Sequence, residues 1–457
     1  MTTPPQLPKA TEQSGPTLLV PAGATEHLLA HAPTCWKDKR KHLEKLLFIL
    51  SRTADGQSGR THSESGRHGG WVSYNVTKIG ELIGGPKKAT EARNLLKTLG
   101  LLEVREAAFG GVSYCAGRNA AQVRIPEKWT SGDWVPEPLT YKILLRNLLS
   151  DEQTKLATVF RSADEDGDAH GDSVRWVSWS LRGLSFVSCV PLEPPAADAG
   201  NPEEDPPSIG RRRAWVGAVA DMNAGKFWLR RDEKTGRVFH TASQMPRQLR
   251  PFLLLDGEET VELDIANAQP ALLLSEFGAD QCTRERKTFA EVVSAGRFYE
   301  VLLADIGQAA PHLSRRYHEL FERDRGAFKE SVFRQLLFSE SKQVPNTMEK
   351  AMAHRWPGFA RRLRTVRSEP NGASQLARRL QRAESDLILG NVLPVLRGQS
   401  PGTAWRNSAP SLLGAGAKVV TVHDSIICQR RHAPTVKRVL EERSAVILGA
   451  ALTVREK

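Results

Sequence analysis

"KVVTVHDSIICQ", Lys418 to Gln429, sets two β-branched runs on either side of a His-Asp pair. Val419, Val420 and Val422 suit one strand, Ile426 and Ile427 a second, and His423-Asp424-Ser425 the tight connection between them. An ordinary hairpin carries Asn-Gly or Asp-Gly at its tip. A carboxylate at a tip that lacks glycine raises the question of chemistry, and the rest of the chain has to answer it.

The chain has 457 residues, enough for two or three domains, and 40% of them are hydrophobic, enough for real cores. Its net charge of +12 favours a polyanionic partner, nucleic acid first. The cysteines, Cys35, Cys115, Cys189, Cys282 and Cys428, are scattered and form no CxxC pair. That argues against a zinc ribbon or a disulfide scaffold and fits a reducing cytoplasm. "MTTPPQLPKATEQSGP" has no apolar core of a signal peptide, and no apolar run approaches a membrane span. The expectation is a soluble, nucleoid-associated protein of a bacterial or phage-infected cell.

Composition divides the chain. Residues 1–20 are rich in Pro, Thr and Ser and read as a disordered tail. The Pro-rich, acidic stretch 191–212 reads as a linker between halves of similar length. Within the first half, "WKDKRKHLEKLLFILSRT" predicts a helix with Leu43, Leu46, Leu47 and Leu50 on one face, followed by a loop over 54–70. A short helix over 77–83, a Gly84-Gly85-Pro86 turn, a basic helix over 87–99 and two strands near 101–105 and 112–116 come next. This pattern, over 21–135, resembles a winged helix-turn-helix, whose second helix enters the major groove. The polar face of that helix offers Lys87, Lys88, Arg93, Asn94 and Lys97 to DNA. A small helical domain for protein contacts is the plainer alternative. Residues 136–190 read as a connecting or thumb-like region. Asp164, Asp166 and Asp168 alternate as in a calcium loop, but the glycine and distal Glu of an EF-hand are misplaced, so a solvated loop is expected.

The second half carries four stretches of interest. In "ETVELDIANAQPALLLSEF", Asp264 closes a strand before a helix that starts near Pro270. In "RDRGAFKESVFRQLLF", Arg325, Lys329, Phe333 and Leu336 fall on one helical face, which suits a nucleoside triphosphate: two cations for phosphates and a ring for the base. A basic surface helix with Phe333 turned to the core is the bland reading. In "LARRLQRAESDLILGNVL", Gln381 and Glu384 flank an apolar stripe. The fourth stretch is the His423-Asp424 hairpin.

The order of these stretches resembles family A, DNA polymerase I-like, enzymes. Asp264 is similar to the carboxylate of their motif A, Arg325, Lys329 and Phe333 to their nucleotide-binding helix, "LQRAESDLI" to their Gln-bearing helix, and Val422-His423-Asp424 to motif C. Upstream, "TGRVFHTASQMPRQLRP" resembles their Thr-Gly-Arg segment. The resemblance covers about 214–457 and looks closest to compact enzymes of phages, plasmids and other mobile genetic elements. It implies an α/β (α+β) fold: a right-hand polymerase palm with reduced fingers over 213–457, preceded by the mainly helical winged-helix domain.

The resemblance also implies roles. Asp264 and Asp424, with the Ile265 carbonyl, would hold two Mg²⁺ ions, Mn²⁺ being a possible substitute. Arg325 and Lys329 would bind the triphosphate, Phe333 the base, and Gln269 would lie beside the sugar. His423, Gln381, Arg237 and Arg250 would contact primer and template. The expected partners are a DNA template-primer and dNTPs, with no membrane. Three departures stand out: Gln269 where cellular enzymes have the glutamate that excludes ribonucleotides, Ser425 after His-Asp, and Leu337 where a tyrosine ends the nucleotide-binding motif. Gln269 and Ser425 open one alternative to a DNA-directed DNA polymerase, a primase-like or RNA-synthesising enzyme using NTPs; a non-catalytic DNA-binding replication initiator is a second, against which the intact Asp264 and Asp424 argue. No set of spaced carboxylates for a proofreading exonuclease is evident in the first half.

Overall fold

The computed structural model describes residues 17–34, 36, 38–57, 71–105, 121–130, 133–148, 159, 161, 168–191, 215–219, 221–222, 225, 227–276, 283–340, 344–399 and 411–457. By internal contact the chain forms two units: residues 1–157, 184–228 and 244–254, and residues 158–183, 229–243 and 255–457. The units therefore interleave in sequence instead of meeting at the 191–212 linker, most of which lies outside the described residues.

In the first unit, β1 (Thr17–Pro21) pairs antiparallel with β5 (Trp134–Pro138). The tail expected over 1–20 thus ends sooner: 17–20 are strand, and 1–16 lie outside the described residues. After α1 (Ala24–Ala30) comes α2 (Lys39–Gln57), which runs into the expected loop. Leu43, Leu46, Leu47, Ile49 and Leu50 are all buried, so α2 is a central helix with apolar contacts nearly all round. Then follow β2 (Val72–Tyr74), α3 (Val76–Ile83), α4 (Pro86–Thr98), β3 (Glu103–Arg105) and β4 (Ala121–Arg124).

Local chemistry sets these boundaries. Asn75 caps α3 by accepting from the Lys78 N–H, and Gly84, at φ 103°, ends it. Pro86 opens α4, where its missing N–H costs nothing. A Cβ on Gly80 would stand 2.6 Å from the Pro86 nitrogen, so glycine alone lets the two helices turn this tightly. The Tyr74 hydroxyl donates to the Ala89 carbonyl at 2.8 Å and ties β2 to α4. The sheet order is β2-β4-β3. The strand expected near 112–116 lies outside the described residues, and the described partner of β3 is β4.

In the second unit, α5 (Asp168–Leu181) replaces part of the expected acidic loop, while Asp164 and Asp166 lie outside the described residues. A hairpin of β6 (Leu229–Arg231) and β7 (Val238–His240) follows. β8 (Glu258–Ile265) runs into α6 (Ala268–Glu276). The helices Thr283–Ser294, α7 (Phe298–Ala309), Thr347–Arg355 and Pro357–Ser368 pack round Phe289, whose ring lies 5.8 Å from Phe298, 5.0 Å from Trp356 and 4.7 Å from Phe359. Each such buried ring contributes roughly 1.5–3 kcal/mol by leaving water.

Helix α8 (Arg325–Val332) runs into a π-helical turn, Phe333–Leu337, closed by Phe338 N–H to Phe333 C=O at 2.8 Å. Helix α9 (Gly372–Ser385) likewise runs into a π-helical stretch, Asp386–Val392. The chain then forms β9 (Val419–Val422), β10 (Ser425–Gln429), α10 (Ala433–Leu448) and β11 (Val454–Glu456). In this unit β10 lies between β9 and β8, and β11 pairs with β8 on its C-terminal portion. No helix of the described residues is long and apolar enough to cross a membrane.

Candidate active site

Strands β8 and β10 pair antiparallel, with Asp264 opposite Ser425. Val422 also faces Ser425 across the β9–β10 hairpin, so His423 and Asp424 form a two-residue tip. His423 has φ 56°, the left-handed region that such tips normally give to glycine. Holding a non-glycine residue there costs about 1 kcal/mol or more. The Ile265 N–H reaches toward the Asp424 carbonyl at 3.4 Å. The tip is thereby tied to the end of β8, and Asp264, on that strand, and Asp424, at the hairpin tip, come together although 160 positions apart in the chain.

The surrounding charges are specific. Glu262 and Asp264 share one face of β8, with Ile427 opposite the first and Ser425 opposite the second. The Ser425 hydroxyl lies 2.8 Å from Glu262 Oε1, and Lys457 Nζ reaches Asp264 Oδ1 at 2.7 Å and Glu262 Oε1 at 3.2 Å. Burial, with Glu384 and then Asp264 nearby, pushes the Asp424 carboxyl up to about 7, and Lys457 offsets part of this.

Helix α8 presents Lys329 to the same carboxylates. Burial lowers the Lys329 pKa, while Asp264 and Asp424 act in the opposite direction. Its ammonium lies 5.2 Å from the centre of the Tyr299 ring, and Tyr299 is itself buried beside Asp424. Arg325 pairs with Glu300 at the exposed end of the helix. The predicted stripe holds through Lys329 and then breaks. Phe333 opens the π turn and stays half-buried, whereas Leu336 is fully buried and leaves the face.

A second polar cluster lies beside these residues. Arg237, at the base of β7, gives Nε and Nη2 to the two oxygens of Glu384, at 2.9 and 2.6 Å. Arg237 was expected at primer or template phosphates; two of its donor groups are instead committed to this carboxylate. Gln269 Nε2 donates to Glu384 Oε2 at 2.7 Å. Burial pushes the Glu384 carboxyl up, and Arg237 and Gln269 hold it down. The Thr-Gly-Arg turn is packed close: Gly236 sits at φ 68° and accepts from the Ser385 hydroxyl at 2.7 Å, and a Cβ there would stand 3.0 Å from that hydroxyl. A cavity of about 10 Å³ is lined by Arg237, Glu384, Thr421 and His423, among others. Gln381 is half-buried on α9, one turn before Glu384.

Two carboxylates, one ending β8 and one at the tip of the neighbouring hairpin, beside the Ile265 backbone, are a hard-oxygen donor set that fits Mg²⁺, an ion that keeps several of its waters. No group of three or more His, Cys, Asp or Glu side chains placed to hold a metal occurs among the described residues. Sequence reasoning missed Glu262, Tyr299 and Lys457 altogether and gave Glu384 no role. Arg250 belongs to the first unit, in the turn Arg247–Phe252. On α4, Lys87, Lys88, Asn94 and Lys97 are exposed. Arg93 is half-buried, its guanidinium 5.7 Å from the Tyr74 ring and bonded to Asn94 Oδ1.

No family model matches the chain, and no curated protein matches it. Among solved structures, the chain is similar to the POL domain of Pol1 from M. smegmatis in complex with DNA primer-template and dNTP, at 13% identity and a TM-score of 0.31. The match covers 54% of this chain and 51% of that one, so the chain spans about half of the structure it matches. A superposition this loose defines neither family nor activity.

Proposed function

We propose that the protein is a template-directed nucleotidyltransferase, a DNA-directed DNA polymerase of the family A kind, acting in replication of a phage, plasmid or other mobile element. The observation that carries this reading is the meeting of Asp264, at the end of β8, with Asp424, at the tip of the β9–β10 hairpin, and Lys329 turned toward both. Asp264 and Asp424, with the Ile265 carbonyl, would hold Mg²⁺, which supplies charge stabilisation to the attacking and leaving oxygens of an in-line displacement. Lys329 and Arg325 neutralise the triphosphate as charge builds on the leaving group. The Tyr299 ring fixes where Lys329 can reach. Phe333 offers its half-buried ring to the incoming base, and His423 and Gln381 contact the primer-template. Glu384 holds Arg237 and Gln269 in place. Arg250, in the first unit, would contact primer or template. That unit, with its helix-turn-helix and three-stranded sheet, acts as a winged-helix module that binds duplex DNA through α4.

Primer extension by the purified protein tests this, with Mg²⁺ or Mn²⁺ and both sugar types. Template-dependent extension that disappears in Asp424→Ala supports the reading. Equal extension by the two proteins removes it. A second reading, acceptance of NTPs, is favoured by Gln269. Its amide donates to Glu384, and its Oε1 is buried with no hydrogen-bond partner among the described residues, an acceptor that a sugar hydroxyl would satisfy. A Gln269→Glu variant that shifts the NTP-to-dNTP ratio toward dNTPs supports it; an unchanged ratio removes it.

A further inference from the structure

The first unit holds a cluster of cations that the α4 reading leaves unexplained. Lys45, on the central helix α2, is only 7% exposed, yet it forms no hydrogen bond or ion pair among the described residues. Its ammonium lies 5.5 Å from the centre of the Tyr141 ring, as does that of Lys41 one turn earlier. Lys88, in the first turn of α4, points to the same place. The position a Cβ on Gly84 would take is 3.4 Å from Lys88 Nζ and 3.9 Å from Lys45 Nζ. Two ammonium groups thus converge beside the Gly84-Gly85 turn.

The nearby acids are turned elsewhere. Glu44 accepts from Arg40, from the Thr140 hydroxyl and from the backbone N–H groups of Thr140 and Tyr141. Asp38 accepts from the Lys41 backbone N–H and acts on His42, whose ring stacks on Trp36 at 4.8 Å. Helix α4 begins at Gly85 without a side-chain cap, so its positive end adds to the same field. Burying an ammonium without a counter-charge is costly, and an arriving anion relieves that cost.

We infer that Lys41, Lys45 and Lys88 form a binding site for one phosphate group, supplied by the sugar-phosphate backbone of a DNA strand. The site is a strand anchor, not a sequence reader: lysine ammonium groups act as point charges, and phosphate contacts fix register without selecting bases. Lys88 belongs both to this site and to the exposed stripe of α4, so the anchor fixes where α4 starts along the groove. The inference rests on the reading of the first unit as a DNA-binding module and adds a contact to it.

The test uses full-length protein and an arbitrary 30-base-pair duplex, with affinity measured by fluorescence anisotropy across a salt series. Lys45→Met keeps the apolar stem and loses the charge; Lys88→Met makes the same change at an exposed position where folding is not at risk. Each variant is expected to bind up to about tenfold more weakly, equally for unrelated sequences, with the log–log salt slope smaller by about 1. Inorganic phosphate is expected to raise the melting temperature of wild type more than that of Lys45→Met. Wild-type affinity and slope in both variants overturn the inference while leaving the DNA-binding reading intact. Failure of wild type to bind duplex at any salt overturns both. A phosphate-dependent melting shift unchanged in Lys45→Met, with DNA affinity also unchanged, marks inorganic phosphate bound elsewhere and overturns this site.

Discussion

Lys45 and Lys329 are the same group in two different electrostatic settings. Both ammonium groups lie near a tyrosine ring, at 5.5 and 5.2 Å, and burial lowers the pKa of both. Around Lys45 the next charges are Lys88 and Lys41; around Lys329 they are Asp264 and Asp424. The first unit therefore gathers positive charge with its acids turned away. The second gathers acids and sets a cation against each: Lys457 at Asp264 and Glu262, Arg237 at Glu384, Lys329 toward Asp424. A surface of the first kind waits for an anion from outside. A surface of the second kind holds a surplus of carboxylate that fits a divalent cation and a triphosphate arriving together.

The largest effect that would break the contrast is at the carboxylates. Asp264→Ala and Asp424→Ala are each expected to lower the extension rate by about 10³-fold or more, equivalent to roughly 4 kcal/mol of barrier. Binding of an unprimed duplex by the same variants should stay within twofold of wild type, since the α4 contact belongs to the other unit. Next comes Arg237→Met. Glu384 loses its bidentate partner while buried, so urea unfolding should show a loss of about 3 kcal/mol, and Arg237→Met with Glu384→Met should recover much of it. Unchanged stability in the single variant would mean that the pair does not hold the second unit together.

Lys329→Met comes third, with extension expected to fall about 10²-fold, or roughly 2.7 kcal/mol, at saturating template. The smallest effect is one of pH. The Asp424 carboxyl is raised to about 7 from an ordinary value near 4, so between these values the folded protein holds the proton and the unfolded chain releases it. In chelator, stability should fall as pH rises from about 4 to 7, and Asp424→Asn should flatten that slope. A wild-type melting curve that does not move across this window would remove the buried-acid cluster from the account.

How much of this was legible depended on range. The hairpin at 418–429 and the end of β8 could be read because period-2 alternation and a polar tip are local signals. The end of α3, the glycine turn and the start of α4 were legible for the same reason: Gly84 and Pro86 each act on their own neighbours. The Arg237–Glu384 pair joins residues 147 apart, and nothing local distinguishes that arginine from one facing a phosphate. Lys457 and Tyr299 lay outside every motif and reach Asp264 and Lys329 only through the fold. The stripe on α8 misplaced Leu336 because the reading assumed α-helical spacing to the end. Asp168 was read as loop, and the helix that begins there is fixed by packing: Val174, Trp176 and Val177 are buried.

That switch of spacing after Val332 has a consequence for length variation. The π turn Phe333–Leu337 holds one residue more than an α-helix would fit into the same rise. The wide turn absorbs that extra residue, so removing one residue there lets the helix run on regularly with its two ends facing nearly as before. Phe328 and Val332 before the turn, and Leu336 and Leu337 within it, are all buried, so packing holds both sides in place. A one-codon deletion at this place would leave a foldable chain with Arg325 and Lys329 still facing the hairpin, whereas one between Lys329 and the π turn would turn them away by about 100°.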